Sequence, residues 1–462
     1  MRTTWLVGLV ALAAVLSGCA GRGRYVPPAE TRPQLPPVDA AQLSGAAYDP
    51  RWWTQFDDPT LTALEASALE VNHDIRIAAA RLAQARAVFD DVKRDRYPRV
   101  TAGASVDRRE QAVPGVSDEP VDTTTYRAGF DAIWELDLFG RVRSSVRAAA
   151  ATAEALEATV DDVRVVVAAE VARTYFELRG LQQRLAVAEQ SLDNQRQTLR
   201  LTQVRRDAGF GEQFDVAAAS ARVAAIEASL PPLRSALAAR RHRLAVLTAA
   251  RPGALPVDLS PRAYPPIAKA LPIGDASALL RNRPDVRAAE RRLAAATARE
   301  GVAAADLFPR VTLSGMLGLL AGRGSAFGTA DSRAWAVTPA LQWAAFDIGS
   351  ARARLRGAEA ATREALAEYQ KTVLGALEEA SNALVAYGEQ QQRLVNLADQ
   401  VRESGQAASI ARARYREGVA DFLALLDAER TELQARDAVA EAEAELFTGA
   451  VAVYKALGGI RQ

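Results

Sequence analysis

The sequence predicts a mostly helical protein that also contributes strands to a membrane β-barrel shared between several copies of the chain. Three observations support this fold class. The chain repeats its own pattern once, contains long proline-free segments rich in alanine and charged residues, and contains shorter segments in which apolar and polar residues alternate. The repeat is longer than the roughly 20 to 50 residues of a stacked solenoid unit, so it implies two equivalent halves.

Matched short motifs define the repeat. Residues 72–75 (Asn-His-Asp-Ile) return 211 positions later as residues 283–286 (Arg-Pro-Asp-Val). Further along, Trp134 is matched by Trp343, 209 positions later. Each half is therefore predicted to contain a helix, two strands and then two very long helices.

One long proline-free segment follows Gly140 and extends to Asp207. It predicts one continuous helix of about 100 Å at 1.5 Å per residue. The next segment, 212–248, contains Pro231 and Pro232, which should kink or break a helix because proline lacks the amide donor. The second half repeats this design without the proline pair, in residues 350–417 and 420–457. Helices alone would also suit a coiled-coil spacer.

The strand segments argue against a simple spacer. From Tyr126 to Leu136, apolar and aromatic residues alternate with mostly polar ones, and similar alternation occurs near residues 100–107, 311–315 and 335–343. Membrane strands need about 9 to 11 residues with an apolar lipid face and a polar lumen face. A soluble sandwich would show the same alternation. Four strands cannot close around a water-filled lumen and lipid permits no open sheet edge, so several chains must share one barrel.

The first residues indicate export. An apolar run from Trp5 to Leu16 follows Arg2, contains no acidic residue, and is too short to span a bilayer, as is typical of a secretory signal. Small residues before the only cysteine, Cys19, resemble the lipobox of bacterial lipoproteins. This resemblance implies a covalent lipid on Cys19 (N-acyl, S-diacylglycerol), and Ala20 after it favours the outer membrane. The alternative is a signal peptide with an incidental cysteine.

Composition excludes several functional classes. The 57 Lys and Arg residues are balanced by 56 Asp and Glu residues, so no basic footprint for nucleic acid exists. His73 and His242 have no second ligand at a metal-binding spacing. No phosphate loop, nucleophile elbow or paired-carboxylate arrangement stands out. We expect no enzyme activity, no metal and no cofactor beyond the lipid.

The chain resembles the outer membrane factor family of the tripartite efflux channels, in its lipoprotein branch (TolC-like, NodT/OprM-like). The matching segments cover nearly the whole mature chain: the lipobox at Cys19, Trp52-Trp53, Phe56-Asp57-Asp58-Pro59, Leu61, Arg283-Pro284-Asp285-Val286, Ala289-Glu290, Phe308-Pro309, Ala413-Arg414-Tyr415-Arg416-Glu417-Gly418, Leu425-Leu426-Asp427-Ala428 and Tyr454-Lys455-Ala456-Leu457-Gly458-Gly459. The resemblance implies a trimer in which each chain gives four strands to one barrel, while the long helices form a hollow periplasmic tunnel.

Candidate gate residues lie where the long helices reverse direction. The reversals carry the turn glycines Gly209, Gly211 and Gly418, and glycine supports the positive φ of a tight turn. Nearby are charged residues that three chains could place around a narrow axis: Asp207, Asp215, Arg416, Asp421 and Asp427. By resemblance, Leu423 and Asp427 are candidates for constricting rings and Arg416 for a restraining polar network. Acidic rings favour cations in a pore.

The predicted function is a passive exit duct for small molecules such as drugs, in the bacterial outer membrane and extending into the periplasm. Its predicted partners are sister subunits, a periplasmic adaptor, an inner-membrane pump and outer membrane lipid. The alternatives are a type I secretion or metal-efflux duct and a soluble periplasmic coiled-coil adaptor. The predicted domains are a signal peptide (1–18), an acylated extended segment (19–59), a first repeat (60–250), a linker (251–275) and a second repeat (276–459).

Overall fold

The computed structural model describes residues 25–26, 28, 43–44, 49–113, 117–264, 270–272 and 283–458. The predicted signal peptide, Cys19, and parts of the predicted N-terminal segment and linker lie outside these residues. The helices are α1 (Pro59–Val71), α2 (His73–Arg94), α3 (Arg141–Asp207), α4 (Gln213–Leu247), α5 (Pro284–Ala305), α6 (Ile348–Arg416) and α7 (Phe422–Ala456). The strands are β1 (Leu43–Ser44), β2 (Arg99–Val113), β3 (Ser117–Leu136), β4 (Leu271–Pro272), β5 (Arg310–Ala321) and β6 (Arg333–Gln342).

The long helices follow the predicted pattern. Helix α3 contains 67 residues and begins directly after Gly140, and α6 contains 69 residues. Of the predicted kink or break at Pro231 and Pro232, the break is wrong, because α4 continues through both prolines. Buried side chains before them, Ile226 and Leu230, pack against Ala188 and Leu192 of α3. This packing stabilises the helix where two backbone donors are missing.

The main sheet has the strand order β2-β3-β5-β6, and every neighbouring pair is antiparallel. Strands β2 and β3 contain 15 and 20 residues, longer than the alternating segments that predicted them. The central pair, β3 with β5, joins the two repeats. A second, short parallel pairing joins β1 to β4, so the N-terminal segment and the linker meet there.

The described residues form two compact units. The first contains the four-stranded sheet and the helix segments next to it, within residues Ala80–Glu157 and Arg287–Lys371. In this unit Phe139 stacks on Phe308 with ring centroids 4.8 Å apart.

The second unit contains both helix reversals and an aromatic core. Trp52 stacks on Tyr454 at 5.3 Å, and Phe176 lies 4.7 Å from Phe447. Tyr264, in the predicted linker, stacks on Phe447 at 4.6 Å, so the first part of the linker packs against the helices of this unit.

Within the described residues, no helix combines the length and the apolar character needed to cross a bilayer.

Candidate functional site

The register of the main sheet separates a polar face from an apolar one. Asp131 lies opposite Thr101 on one side and Met316 on the other, so these residues share one face. The neighbouring row places Phe130 beside Leu317, and Leu317 is 66% exposed. Large apolar side chains exposed on one face of a sheet fit contact with lipid, as the alternation predicted.

Both outer strands of this sheet are open edges. Within the described residues, β2 pairs only with β3, and β6 pairs only with β5. An open edge inside a bilayer would leave backbone donors and acceptors without partners, at several kcal/mol for each group. The geometry therefore requires that other chains complete the sheet.

Two tryptophans fix equivalent junctions between a helix and the following strand. The indole Nε1 of Trp134 donates a hydrogen bond to the Arg96 carbonyl at 3.1 Å, and Trp343 does the same to the Leu307 carbonyl at 3.1 Å. Tryptophan combines an apolar ring with one donor, which suits the boundary between lipid and water. The repeat thus reproduces one anchoring contact twice.

The helix reversals have the backbone geometry that their glycines predict. Gly209 and Gly418 both have φ of +80°, a conformation that disfavours residues with a β-carbon. In each turn the next residue, Phe210 or Val419, donates its backbone N–H to a carbonyl five positions back, at 2.8 and 2.9 Å. Gly211 has a different role: a β-carbon there would lie 3.1 Å from the Arg206 backbone nitrogen.

At the second reversal, the start of α7 has one buried and one exposed face. Phe422 and Leu425 are buried in a cluster with Tyr415 of α6 and Ala219 of α4. Leu423, by contrast, is 54% exposed. Leu423 and Asp427 are four residues apart on the same exposed helix face, where sister subunits could meet them.

The candidate gate charges make mainly local contacts. Asp421 caps α7 by accepting a hydrogen bond from the Ala424 backbone N–H at 2.8 Å. Asp427 pairs with Arg430 and Asp207 with Arg206. Asp215 is half-buried in the first turn of α4, and Arg416 is exposed at the end of α6. In the part of the chain that the structure describes, no hydrogen bond or ion pair joins Arg416 to Asp427, so the roles of all these residues stay predictions.

A contact between the two reversals escaped the sequence analysis. Arg205, near the end of α3, donates to the Tyr415 backbone carbonyl at 2.6 Å and lies 4.8 Å above the Tyr415 ring. The Tyr415 hydroxyl in turn donates to the Thr202 hydroxyl at 3.3 Å. These contacts tie the end of α3 to the end of α6 within one chain.

A buried ionic network between α6, α7 and α3 was also not predicted from the sequence. Arg412 donates to Glu429 at 2.9 Å and also pairs with Glu432, and both carboxylate side chains are less than a tenth exposed. Thr198 of α3 donates to Glu429 at 3.1 Å. Burial raises the pKa of Glu429, and the Arg412 guanidinium opposes that rise. The network fixes α6, α7 and α3 to one another.

Equivalent residues tie the ends of α4 and α7 to the helix that starts each repeat. The Asn72 amide donates to the Leu247 carbonyl at 2.8 Å, and Arg283 donates to the Ala456 carbonyl. Arg283 also pairs with Asp285 and Glu379, each at 2.8 Å. Its side chain is 9% exposed, so the second repeat contains a buried cation where the first has a neutral amide.

This cluster includes a carboxyl with an altered acidity. Burial raises the pKa of Asp162 to about 6, the carboxylates of Asp285 and Glu379 add to that effect, and Arg283 and Lys455 oppose it. A native pKa above the ordinary value means that the folded chain binds this proton more tightly than the unfolded chain. The contribution of Asp162 therefore stabilises the fold as the pH falls through about 6.

We expect Asp162→Asn to remove this part of the pH dependence. As the pH falls from about 7 to about 5, the apparent unfolding temperature of the wild type should rise more than that of the variant. Helical circular dichroism in detergent measures this temperature. Asp193→Asn is the control, because Asp193 is an exposed carboxylate of the same helix that accepts a hydrogen bond from Gln197 at 2.8 Å, and this variant should keep the wild-type profile. Identical profiles for the wild type and Asp162→Asn would contradict this assignment.

Tyr25, in the predicted N-terminal segment, contacts α5. The Tyr25 hydroxyl donates to Glu290 at 2.9 Å, and the Arg291 guanidinium lies 5.5 Å from its ring centroid. The ring packs against alanines of α3 and α5. Since Tyr25 follows Cys19 by six residues, a lipid on Cys19 would be tethered to this contact by a short stretch of chain.

Neither a catalytic site nor a metal site is seen among these arrangements. Among the described residues, no group of three or more His, Cys, Asp or Glu side chains is placed to hold a metal ion. The arrangement that stands out is a membrane-type sheet with open edges joined to long helix pairs, which defines a subunit of an oligomeric outer-membrane-type channel.

Comparisons with known proteins agree with this class. The family described as "Outer membrane efflux protein" matches residues 64–250 and 276–459, and the chain belongs to this family. The outer membrane protein OprJ of Pseudomonas aeruginosa is 31% identical over 98% of this chain and 95% of its own length. The pyoverdine export outer membrane protein OpmQ of Pseudomonas putida is 33% identical over 92% of this chain and 91% of its own length.

Solved structures show the same fold. The outer-membrane channel OprN matches with a TM-score of 0.93 and 50% identity, over 96% of this chain and 99% of that chain. The outer membrane protein VceC of Vibrio cholerae matches with a TM-score of 0.81 and 26% identity, over 89% of this chain and 99% of that chain. The predicted family, fold class and outer membrane location are confirmed. The family consists of efflux channels, which are not enzymes.

Proposed function

We propose that the chain is one subunit of a trimeric exit duct in the outer membrane, serving a tripartite efflux system that expels small molecules such as drugs. The open edges of β2 and β6 support this proposal most directly, because they require other chains to close the barrel. The likeness to the channel OprN agrees with it. A membrane-type sheet disfavours the alternative of a soluble coiled-coil adaptor. Type I secretion and metal-efflux ducts would share the architecture.

The long helices suit a periplasmic tunnel that meets an adaptor at the helix reversals. Apolar side chains at these turns are exposed, among them Phe210 at 76% and Val419 at 63%. Exposed apolar groups at both chain reversals fit an interaction surface for a partner. An adaptor bound there would connect the duct to an inner-membrane pump, which supplies the energy and selects the cargo. We assign no catalytic role and no metal or other cofactor to the chain.

The predicted gate residues allow a test of the proposed channel function. Asp427→Ala and Arg416→Ala should each raise the single-channel conductance in planar bilayers, because each removes a polar group expected to hold the helix pairs closed across subunit boundaries. The control is Asp399→Ala, since Asp399 forms the same type of exposed pair, with Arg402 three residues on, but lies about 17 residues before the end of α6 and so away from the reversal. Wild-type conductance in both gate variants would remove these residues from the gate.

The lipid on Cys19 is also a proposal. Small residues before Cys19 and the short tether to Tyr25 support an anchor that sorts the chain and holds it at the membrane. A single lipid adds modestly to a barrel that is already embedded. A Cys19→Ser chain with a cleavable signal should therefore still form trimers on unheated gels, while its intact mass lacks the lipid. Purely monomeric Cys19→Ser protein would contradict this role.

A further inference from the structure

Beside the sheet, the first unit contains a large groove. Its volume is about 780 Å³, and its walls are formed by helices α2, α3 and α5 and by the start of α6. Its lining is largely apolar and includes Ala85, Val88, Ala149, Leu156, Val302 and Ala303. A cavity of this size and character matches the pockets that bind small organic molecules.

Three arginines also line the groove: Arg81, Arg299 and Arg354. Arg299 donates to the Thr152 hydroxyl at 3.1 Å, and Arg354 donates to the Ser350 hydroxyl at 3.0 Å. Both acceptors are neutral. Within the described residues, none of the three guanidinium groups lies within ion-pair distance of a carboxylate. They give the groove a net positive charge.

The acidic residue on the groove wall does not cancel this charge. Asp306 accepts a hydrogen bond from Arg310, outside the groove lining, at 2.6 Å. Its charge is therefore already balanced by a fourth arginine. An anion that enters the groove would meet guanidinium donors without displacing an existing ion pair.

The internal repeat shows that the fold does not need two of these arginines. At an offset of 211 residues, the partner of Arg299 in the first repeat is Val88. At an offset of 209 residues, the partner of Arg354 is Ser145. The equivalent helices of the first repeat thus fold with an apolar or a small polar residue at these two positions. A structural requirement therefore does not explain Arg299 and Arg354.

From the apolar lining, the volume and the three unpaired guanidinium groups, we propose that this groove binds an anionic amphiphile: a small molecule with an apolar body and one carboxylate or sulfonate. Such a molecule would bury its apolar part against α2, α3 and α5 and place its anion among the arginines. This inference rests on the proposed function, since the bound molecule would be cargo of the duct.

A second copy of the chain is a poorer occupant. Covering the groove with another subunit would bury three cations, and an unpaired buried guanidinium costs several kcal/mol. A sister subunit would have to supply a carboxylate for each arginine. A small anion satisfies the same groups while leaving part of the groove open to water.

The test uses the full-length trimer in lipid nanodiscs and two fluorescent probes that share the dansyl sulfonamide group. Dansylglycine carries a carboxylate, and dansylamide is neutral. We expect saturable binding of dansylglycine with enhanced fluorescence. Dansylamide should bind at least about tenfold more weakly, because it cannot form the charge-assisted hydrogen bond of the carboxylate. The variant R299V/R354S, which installs the residues of the first repeat, should weaken dansylglycine binding by a similar factor. It should leave dansylamide binding unchanged.

The matched control is Arg352→Ser, which removes an exposed arginine on α6 two residues before Arg354 and outside the groove lining. It should bind dansylglycine as the wild type does. Equal dansylglycine affinity in the wild type and R299V/R354S, equal affinity for the two probes, or no saturable binding would each overturn the inference.

A third measurement decides whether the groove is open in the trimer. Ala149→Cys, in a Cys19→Ser background, should react with a water-soluble thiol reagent, and dansylglycine should slow that reaction. Failure of the folded trimer to react would show that a sister subunit fills the groove and would overturn the inference. A trimer that conducts in planar bilayers but binds neither probe would overturn this inference alone and leave the exit duct intact.

Discussion

Arg283→Ala should lower the free energy of unfolding by about 2–4 kcal/mol, because the change leaves carboxylates without their buried cation. Arg283 is 9% exposed and holds Asp285 and Glu379, each at 2.8 Å. It also supplies the donor to the Ala456 carbonyl near the end of α7. Denaturant unfolding of the detergent-solubilised protein, followed by circular dichroism at 222 nm, measures the loss.

Lys455→Ala provides the matched control for this prediction. Lys455 pairs with the same carboxylate, Glu379, at 2.8 Å, but its side chain is 42% exposed. Exposed pairs contribute about 0–1 kcal/mol, so this variant should unfold close to the wild type. Equal losses for the Arg283 and Lys455 variants would show that burial does not set the strength of this cluster.

Gly129→Ala and Gly318→Ala should each prevent most of the chain from forming folded trimers. These glycines face each other across β3 and β5, the seam between the repeats. A β-carbon at Gly129 would lie 2.5 Å from the Leu317 carbonyl oxygen, and one at Gly318 would overlap the Ala128 carbonyl. Because the obstacles are backbone atoms, the strands themselves must separate. The measurement is the fraction of heat-modifiable trimer on unheated gels.

Gly103→Ala is the control from the same row of the sheet. Gly103 lies opposite Gly129 on β2, yet a β-carbon there meets nothing within 4 Å. This variant should assemble as the wild type does. If Gly129→Ala and Gly318→Ala assembled equally well, the close approach of β3 and β5 would have no role in barrel formation.

The sequence predicted the helices and their reversals well, because the decisive signals are local. A left-handed turn residue favours glycine, so Gly209 and Gly418 identify the reversals without any tertiary information. The predicted break at the proline pair is absent for the opposite reason. Whether α4 survives Pro231 and Pro232 depends on burial of Ile226 against α3, a contact between distant parts of the chain.

The ends of the strands were less predictable. A strand shows alternating apolar and polar residues only where one face of the sheet is apolar and the other is polar. Beyond the apolar band, β2 and β3 continue as a ladder in which both faces are polar. Arg108 is paired with Asp122 there, on neighbouring strands. The period-two pattern disappears while the backbone hydrogen bonds continue, so the alternating segments gave strands that were too short.

The buried charged residues of the candidate site could not be predicted from the sequence. Glu429 and Glu432 have the spacing of ordinary solvated helix positions, and Arg412 lies on another helix. Only the packing of α3 against this face, with Thr198 donating to Glu429, removes them from water. Burial of a polar group depends on which helix covers it, and this information is not present in a local pattern.

The two reversals are alike in backbone and unlike in sequence, since Asp-Ala-Gly-Phe-Gly at residues 207–211 corresponds to Arg-Glu-Gly-Val-Ala at residues 416–420. In the proposed trimer, threefold symmetry would make these two loop types alternate around the axis. A ring-shaped partner that touched every loop would have to accept two sequences in turn. A partner that recognised one sequence alone would occupy only half of the positions, which limits how many copies of it one duct can recruit.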